Sequence, residues 1–264
     1  MTYPTIIVHV DGSNLLEKRV EIAIQIARHE NACLLGVAVT GLQADAEAMH
    51  LARRRAGTAL EHFSAMAATA GLPMTEQRLA EGDAAQVLCE EARFTDLVVL
   101  GQPASGESGP EASVDFLQYV ALNAVCPVLI VPASERVFSI GDRVLVGWNG
   151  SAAAARAMHD AMPFLQQAKQ VHLAVATDGM NAAQGDATVG KASAFLSRHG
   201  VKAQLQRQPV TADAGHALLQ LSGELTADLI VMGCVAHPRG RRVLPGGATR
   251  VVLEEADVPV LMSH

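Results

Sequence analysis

Residues Asp228 to Val260, DLIVMGCVAHPRGRRVLPGGATRVVLEEADVPV, decide the reading of the chain. Asp228 leads an apolar run, Leu229-Ile230-Val231-Met232, whose length suits a buried strand. Gly233 ends that run, and a basic, proline-bearing loop follows, closing on Gly246-Gly247-Ala248-Thr249. A helical pattern then runs to Asp257, and Val258-Pro259-Val260-Leu261-Met262 reads as an edge strand opened by proline. A strand, a glycine-bounded loop and a helix start together present backbone N–H groups in the way a phosphate needs.

The outline occurs twice. Asp96-Leu97-Val98-Val99-Leu100-Gly101 repeats Asp228 to Gly233, and Cys126-Pro127-Val128-Leu129-Ile130 repeats Val258 to Met262, each at an offset of 132 residues. Ile6 to Ser13, ending Asp11-Gly12-Ser13, matches Val144 to Ser151, ending Asn149-Gly150-Ser151, at an offset of 138. Periods of this size mean duplication of a whole domain, not a solenoid. The expected domains are 1–135 and 140–264, joined by a short linker over Pro132 to Asp142.

Of the 264 residues, 50% are hydrophobic, 18% charged and 3% aromatic, so two cores can be filled and they must be aliphatic. The net charge of −7 argues against non-specific nucleic-acid binding. No apolar run approaches the roughly 20 residues of a membrane span, and MTYPTIIVHV enters a strand at once with no basic leader. Cys33, Cys89, Cys126 and Cys234 form no paired motif and read as reduced thiols packed like small hydrophobes.

Strands are expected at 5–10, 32–39, 74–79, 96–100 and 127–131, then at 143–148, 171–176, 201–208, 228–232 and 258–262. Helical patterns lie between them. One opens near Ser13 as N-cap, one spans 40–70, one opens at Gly82-Asp83 and one covers about 112–124. In the second half one starts from Ser151, one covers 187–199, and one is opened by Asp213. Thr177 to Asp186 reads as a polar loop. Alternating strands and helices mean a parallel sheet with right-handed crossovers in each half. Ligands in such sheets sit beyond the strand C-termini at a topological switch point, here the loops after the first and fourth strands of each half.

These residues resemble the universal stress protein family in its tandem form, over nearly the whole chain. The resemblance is carried by Asp11-Gly12-Ser13, Asn149-Gly150-Ser151, Asp228 to Gly233, Gly246 to Arg250 and the closing Val258-Pro259-Val260-Leu261. It implies two Rossmann-like (adenine nucleotide alpha hydrolase-like) α/β domains, each with a five-stranded parallel sheet of order 3-2-1-4-5 flanked by helices. It further implies an intramolecular pseudo-dimer through the last strands and a cytoplasmic role in stress adaptation, usually without a defined reaction; a homo-oligomer of the chain is left open beside it. One subset binds ATP.

That subset carries a glycine, two residues, a glycine, nine residues, then glycine and a hydroxyl residue. In the second half Gly233 fits, Ala236 stands at the second glycine, Gly246 fits, and Gly247 stands at the hydroxyl position. Thr249 supplies a hydroxyl two residues on, and Arg239, Arg241, Arg242 and Arg250 add cations. The aspartate that the family sets against adenine falls on Asn149. The nucleotide contacts so implied are Asn149, Gly150, Ala176, Met232, Gly233, Ala236, Gly246, Gly247, Ala248 and Thr249. In the first half Ala104, Val114 and Asp115 replace the frame after Gly101, and Glu107 and Glu111 make the loop acidic, so a triphosphate site is read as lost there. Asp115 suits a helix N-cap.

Asp11 reads as a turn residue, His237 as a solvated loop histidine, Trp148 as packed at the crevice or domain contact, and Arg53-Arg54-Arg55 as a solvated helix face. The histidines show no metal spacing, so no metal is expected and zinc would need spatial convergence. No Walker lysine, GxSxG or HExxH is present. The sequence therefore supports a non-enzymatic protein responsive to a nucleotide. The alternatives are a tandem scaffold or binder of another small ligand, and a slow ATP hydrolase.

Overall fold

The structure is a computed structural model describing residues 2–103, 111, 113–134, 139–176, 182–208, 213–234, 236–239, 242–245 and 247–264. It divides into two compact units, Thr2–Ala133 and Ser134–His264.

The first unit runs β1 (Thr5–His9), α1 (Leu16–Glu30), β2 (Cys33–Val39), α2 (Ala46–Thr69), β3 (Thr75–Ala80), α3 (Ala84–Glu91), β4 (Leu97–Gly101), α4 (Val114–Asn123) and β5 (Val128–Val131). β1 pairs β2 and β4, β2 pairs β3, and β4 pairs β5, all parallel, which is the order 3-2-1-4-5. Ile6, Ile7, Leu34, Leu97, Val99 and Leu129 are wholly buried, as expected of strands covered on both faces by helices. β3 is largely exposed, in keeping with its polar sequence and outer place.

The second unit runs β6 (Arg143–Trp148), α5 (Ala152–Asp160), α6 (Met162–Gln167), β7 (Gln170–Ala176), α7 (Ala182–Arg198), β8 (Ala203–Gln208), α8 (Ala214–Glu224), β9 (Leu229–Gly233), β10 (Ala236–Arg239), β11 (Arg242–Pro245), α9 (Gly247–Glu255) and β12 (Val260–Ser263). β6 pairs β7 and β9, β7 pairs β8, and β9 pairs β12, all parallel, which repeats the same order.

The aspartate that opens the repeated apolar run has a structural task in each unit. Asp96 Oδ2 accepts from the N–H of Thr5 at 2.8 Å, fixing the start of β1 beside β4. Asp228 accepts from the N–H groups of Gly141, Asp142 and Arg143 at 2.9–3.1 Å and from Ser139 Oγ, so one carboxylate satisfies the donors that lead into β6.

Five local readings are corrected. Residues 236–239 and 242–245, expected as loop, form the antiparallel pair β10–β11, matching Pro238 with Val243 and Pro245 with Ala236. A two-stranded ribbon consists only of edges, which tolerate the missing proline N–H. Helix α7 begins at Ala182, inside the expected polar loop. The helix after Ser151 breaks at Ala161 into α5 and α6, with Pro163 in the first turn of α6, where no N–H is needed. Helix α1 starts at Leu16 rather than on a Ser13 cap, and α4 is capped by Ser113, whose Oγ accepts from the N–H of Phe116 at 3.2 Å, not by Asp115.

Candidate functional site

In the second unit the strand order reverses between β6 and β9, and a cavity of about 100 Å³ opens at their C-terminal ends. Gly147, Trp148 and Asn149 line it from β6, Ala174 and Val175 from β7, and Met232 and Gly233 from β9. Ala154 of α5, Ala248 of α9, and Ala214, Ala217, Leu218 and Leu221 of α8 complete the wall.

Local sequence explains each wall. Asn149 Oδ1 accepts from the N–H of Ser151 at 3.0 Å, an Asx turn that leaves its other amide group without a partner among the described residues. Gly150 carries the turn at φ +75, a conformation that disfavours side chains. Ser151 caps α5, its Oγ accepting from the N–H of Ala154 at 3.1 Å. Gly233 lets β9 meet that helix start closely: a β-carbon there would lie 2.5 Å from the backbone nitrogen of Ala154. Helices α8 and α9 also meet through a glycine, since a β-carbon on Gly215 would lie 2.8 Å from that of Val251. His216 ties the same two helices at the surface, 3.1 Å from Asp213 and 3.3 Å from Glu255. Its hydrogen bond to Asp213, against slight desolvation, raises its pKa.

Of the sequence-derived contacts, Asn149, Met232, Gly233 and Ala248 line the cavity. Gly150 turns beside it, Ala176 ends β7 and Gly247 opens α9 with free space over its α-carbon. Thr249 is buried and stands apart from the lining. Ala236 has its backbone in β10, while Gly246 lies outside the described residues. So do Ala104, Glu107, Arg241 and the side chains of His237, Arg239 and Arg242. Arg250 is engaged on the helix surface with Glu254 at 2.7 Å. Trp148 is buried against the cavity. Sequence reasoning missed the α8 wall, because alanines and leucines carry no chemical signature.

At the corresponding strand ends of the first unit stands an ion pair. Arg19 of α1 is buried, donates from Nη2 to Asp11 Oδ1 at 2.6 Å, and has Nη1 2.5 Å from where a β-carbon on Gly101 would stand. Burial alone would raise the Asp11 pKa. The Arg19 and His9 charges and hydrogen bonds from Arg19 and Ser13 outweigh it and hold the carboxyl well below its usual range. Asp11 is thus a turn residue, accepting from the N–H of Ser13, and also half of a buried ion pair. The signal was present: Leu16, Arg19, Val20, Ala23, Ile26 and Ala27 make one helical stripe, which places Arg19 on the buried face.

The model of the universal stress protein family matches residues 2–132 and 141–264. Comparison with curated proteins finds no match. Among solved structures, a universal stress protein from Archaeoglobus fulgidus DSM 4304 superposes with a TM-score of 0.78 at 20% identity, covering 98% of this chain and 95% of that one. A putative universal stress protein from Pseudomonas aeruginosa UCBPP-PA14 gives 0.69 at 18% identity, covering 99% and 93%.

Proposed function

The chain belongs to the universal stress protein family, and on that premise we propose that the second unit binds an adenine nucleotide, as ATP or ADP. The protein then acts as a non-enzymatic, nucleotide-responsive regulator of stress adaptation in the cytoplasm. The observation that carries this reading is the place and lining of the cavity. It lies at the switch point between β6 and β9, where parallel α/β sheets take ligands. Its walls are mostly Ala, Gly, Val, Leu and Met with the Asn149 amide at one edge, which suits a flat heterocycle that needs one hydrogen-bonding partner. Phosphates then extend toward the start of α9, whose first N–H groups have no helical acceptor.

The described lining carries no titratable side chain, and a cradle without a placed base binds better than it turns over. Mass spectrometry of ligand released from the denatured, purified protein tests the reading. ATP or ADP at near-equimolar yield is expected. A protein that releases no nucleotide and takes up none on incubation with ATP is a scaffold or a binder of something else.

We propose also that the two units associate as an intramolecular pseudo-dimer through Val128–Val131 and Val260–Met262. Both segments are apolar and close their units' strand orders, where an exposed edge would invite pairing. Each half expressed alone should self-associate in analytical ultracentrifugation; two well-behaved monomeric halves would refute the pairing.

A further inference from the structure

We propose that the first unit holds a divalent transition-metal ion of the zinc class between His9, Asp11 and Glu111. The inference is independent of the nucleotide cavity, which lies in the other unit. One ring nitrogen of His9 and one carboxylate oxygen each from Asp11 and Glu111 lie within 4.8 Å of one another. No sequence spacing announces this set: His9 ends β1, Asp11 follows in the turn, and Glu111 comes from just before α4.

The decisive detail is His9. It is 2% exposed, and its Nε2 has no hydrogen-bond partner among the described residues, although Glu111 Oε2 is only 3.2 Å away. The carboxylate lies off the axis an N–H would need, so the pair does not form a hydrogen bond. Metal–ligand bonds of about 2.0–2.2 Å at a tetrahedral angle set neighbouring ligand atoms roughly 3.3–3.6 Å apart; the His9–Glu111 pair stands at 3.2 Å and the whole set within 4.8 Å, so small side-chain shifts close it on an ion.

The surroundings suit such an ion. Imidazole with carboxylates favours zinc-like metals over magnesium or calcium. Asp11 Oδ1 is held by Arg19 and by the N–H of Ser13, which fixes the carboxylate's direction and leaves Oδ2 to the ion, within 4.8 Å of the other two ligand atoms. The Phe116 ring, 5.6 Å from the imidazole, walls the other side. Asp11 and Glu111, at 22% and 29% exposure, give an entry path. Asp11, Glu111 and Arg19 sum to one negative charge, so a dication taken up through an unprotonated His9 nitrogen is left with a single positive charge. Three protein ligands leave the fourth position to water.

Cobalt(II) titrated into the chelator-stripped full chain, without nucleotide, tests the site by visible absorption. Saturable one-to-one binding with the bands of a four-coordinate ion, displaced by zinc, is expected. Glu111→Gln, at a partly exposed residue, should weaken binding by roughly tenfold or more; His9→Gln should abolish it, and His29→Gln, at an exposed histidine, should leave it unchanged. If His9→Gln fails to fold, Glu111→Gln decides. No saturable cobalt binding by the wild type, or wild-type affinity and spectrum in Glu111→Gln, overturns the proposal in favour of a plain ion-pair cluster.

Discussion

Arg19 Nη2 lies 2.6 Å from Asp11 Oδ1, and this pair stands beyond the strand ends of the first unit, the ground where the second unit has a cavity. The offset that carries Asp11 to Asn149 carries Arg19 to Ala157, a buried alanine. A long cation and its partner in one unit thus stand where the other has a short side chain and an amide.

Arg19→Met should cost about 3 kcal/mol, because it leaves a largely buried carboxylate without its partner. Arg19→Met with Asp11→Asn should recover most of that loss. Urea unfolding at neutral pH measures both; a double variant no more stable than the single would contradict the ion-pair account.

The same pair predicts a pH dependence. The folded pKa of Asp11 is depressed, so its contribution is present above the ordinary carboxyl value of 3.8 and is lost as pH falls below it toward the folded value. The stability gap between wild type and Arg19→Met should therefore be constant near neutrality and narrow below about pH 4. A gap independent of pH down to the acid transition would show that Asp11 is not the group stabilised.

Gly233→Ala should destabilise the second unit by about 1–3 kcal/mol, since its new methyl meets the backbone of Ala153 and Ala154, which cannot swing aside. Thermal unfolding reads the loss, and a melting temperature equal to the wild type's would mean that β9 and α5 are not packed as described.

Cys234 should escape alkylation in the native protein. It is wholly buried, and burial pushes its thiol up to about 12, so thiolate and access are both lacking at neutral pH. Iodoacetamide followed by peptide mass spectrometry should find it unmodified until denaturant is added; ready labelling in buffer would contradict its place in the core.

The first, fourth and fifth strands of each half were legible because a parallel strand covered on both faces is a short apolar run, and each of these runs occurred twice. Residues 143–148 fall where the pattern puts them. The strand pair 236–239 and 242–245 was not legible: Pro238 and Pro245 argue against strand in a sheet interior, and this ribbon has no interior. The start of α7 was hidden by Gly185 and Asp186, which interrupt a run that Ala182-Ala183-Gln184 favours. At the site, the residues next to strand ends were readable from the repeat. The α8 wall and the approach of Glu111 to His9 were not, because both join segments far apart in sequence through tertiary packing.

The claim that adenine nucleotide binds the second unit, and only there, is tested most directly by calorimetric titration of ATP into wild type, Gly247→Asp and Asp115→Ala. Gly247 has open space where a side chain would go, and an acid in the first turn suits a helix start, so Gly247→Asp should fold. Its carboxylate would still face the phosphates. The account predicts that Gly247→Asp loses measurable binding and that Asp115→Ala binds as the wild type does. Wild-type affinity in Gly247→Asp, or loss of affinity in Asp115→Ala alone, would contradict it.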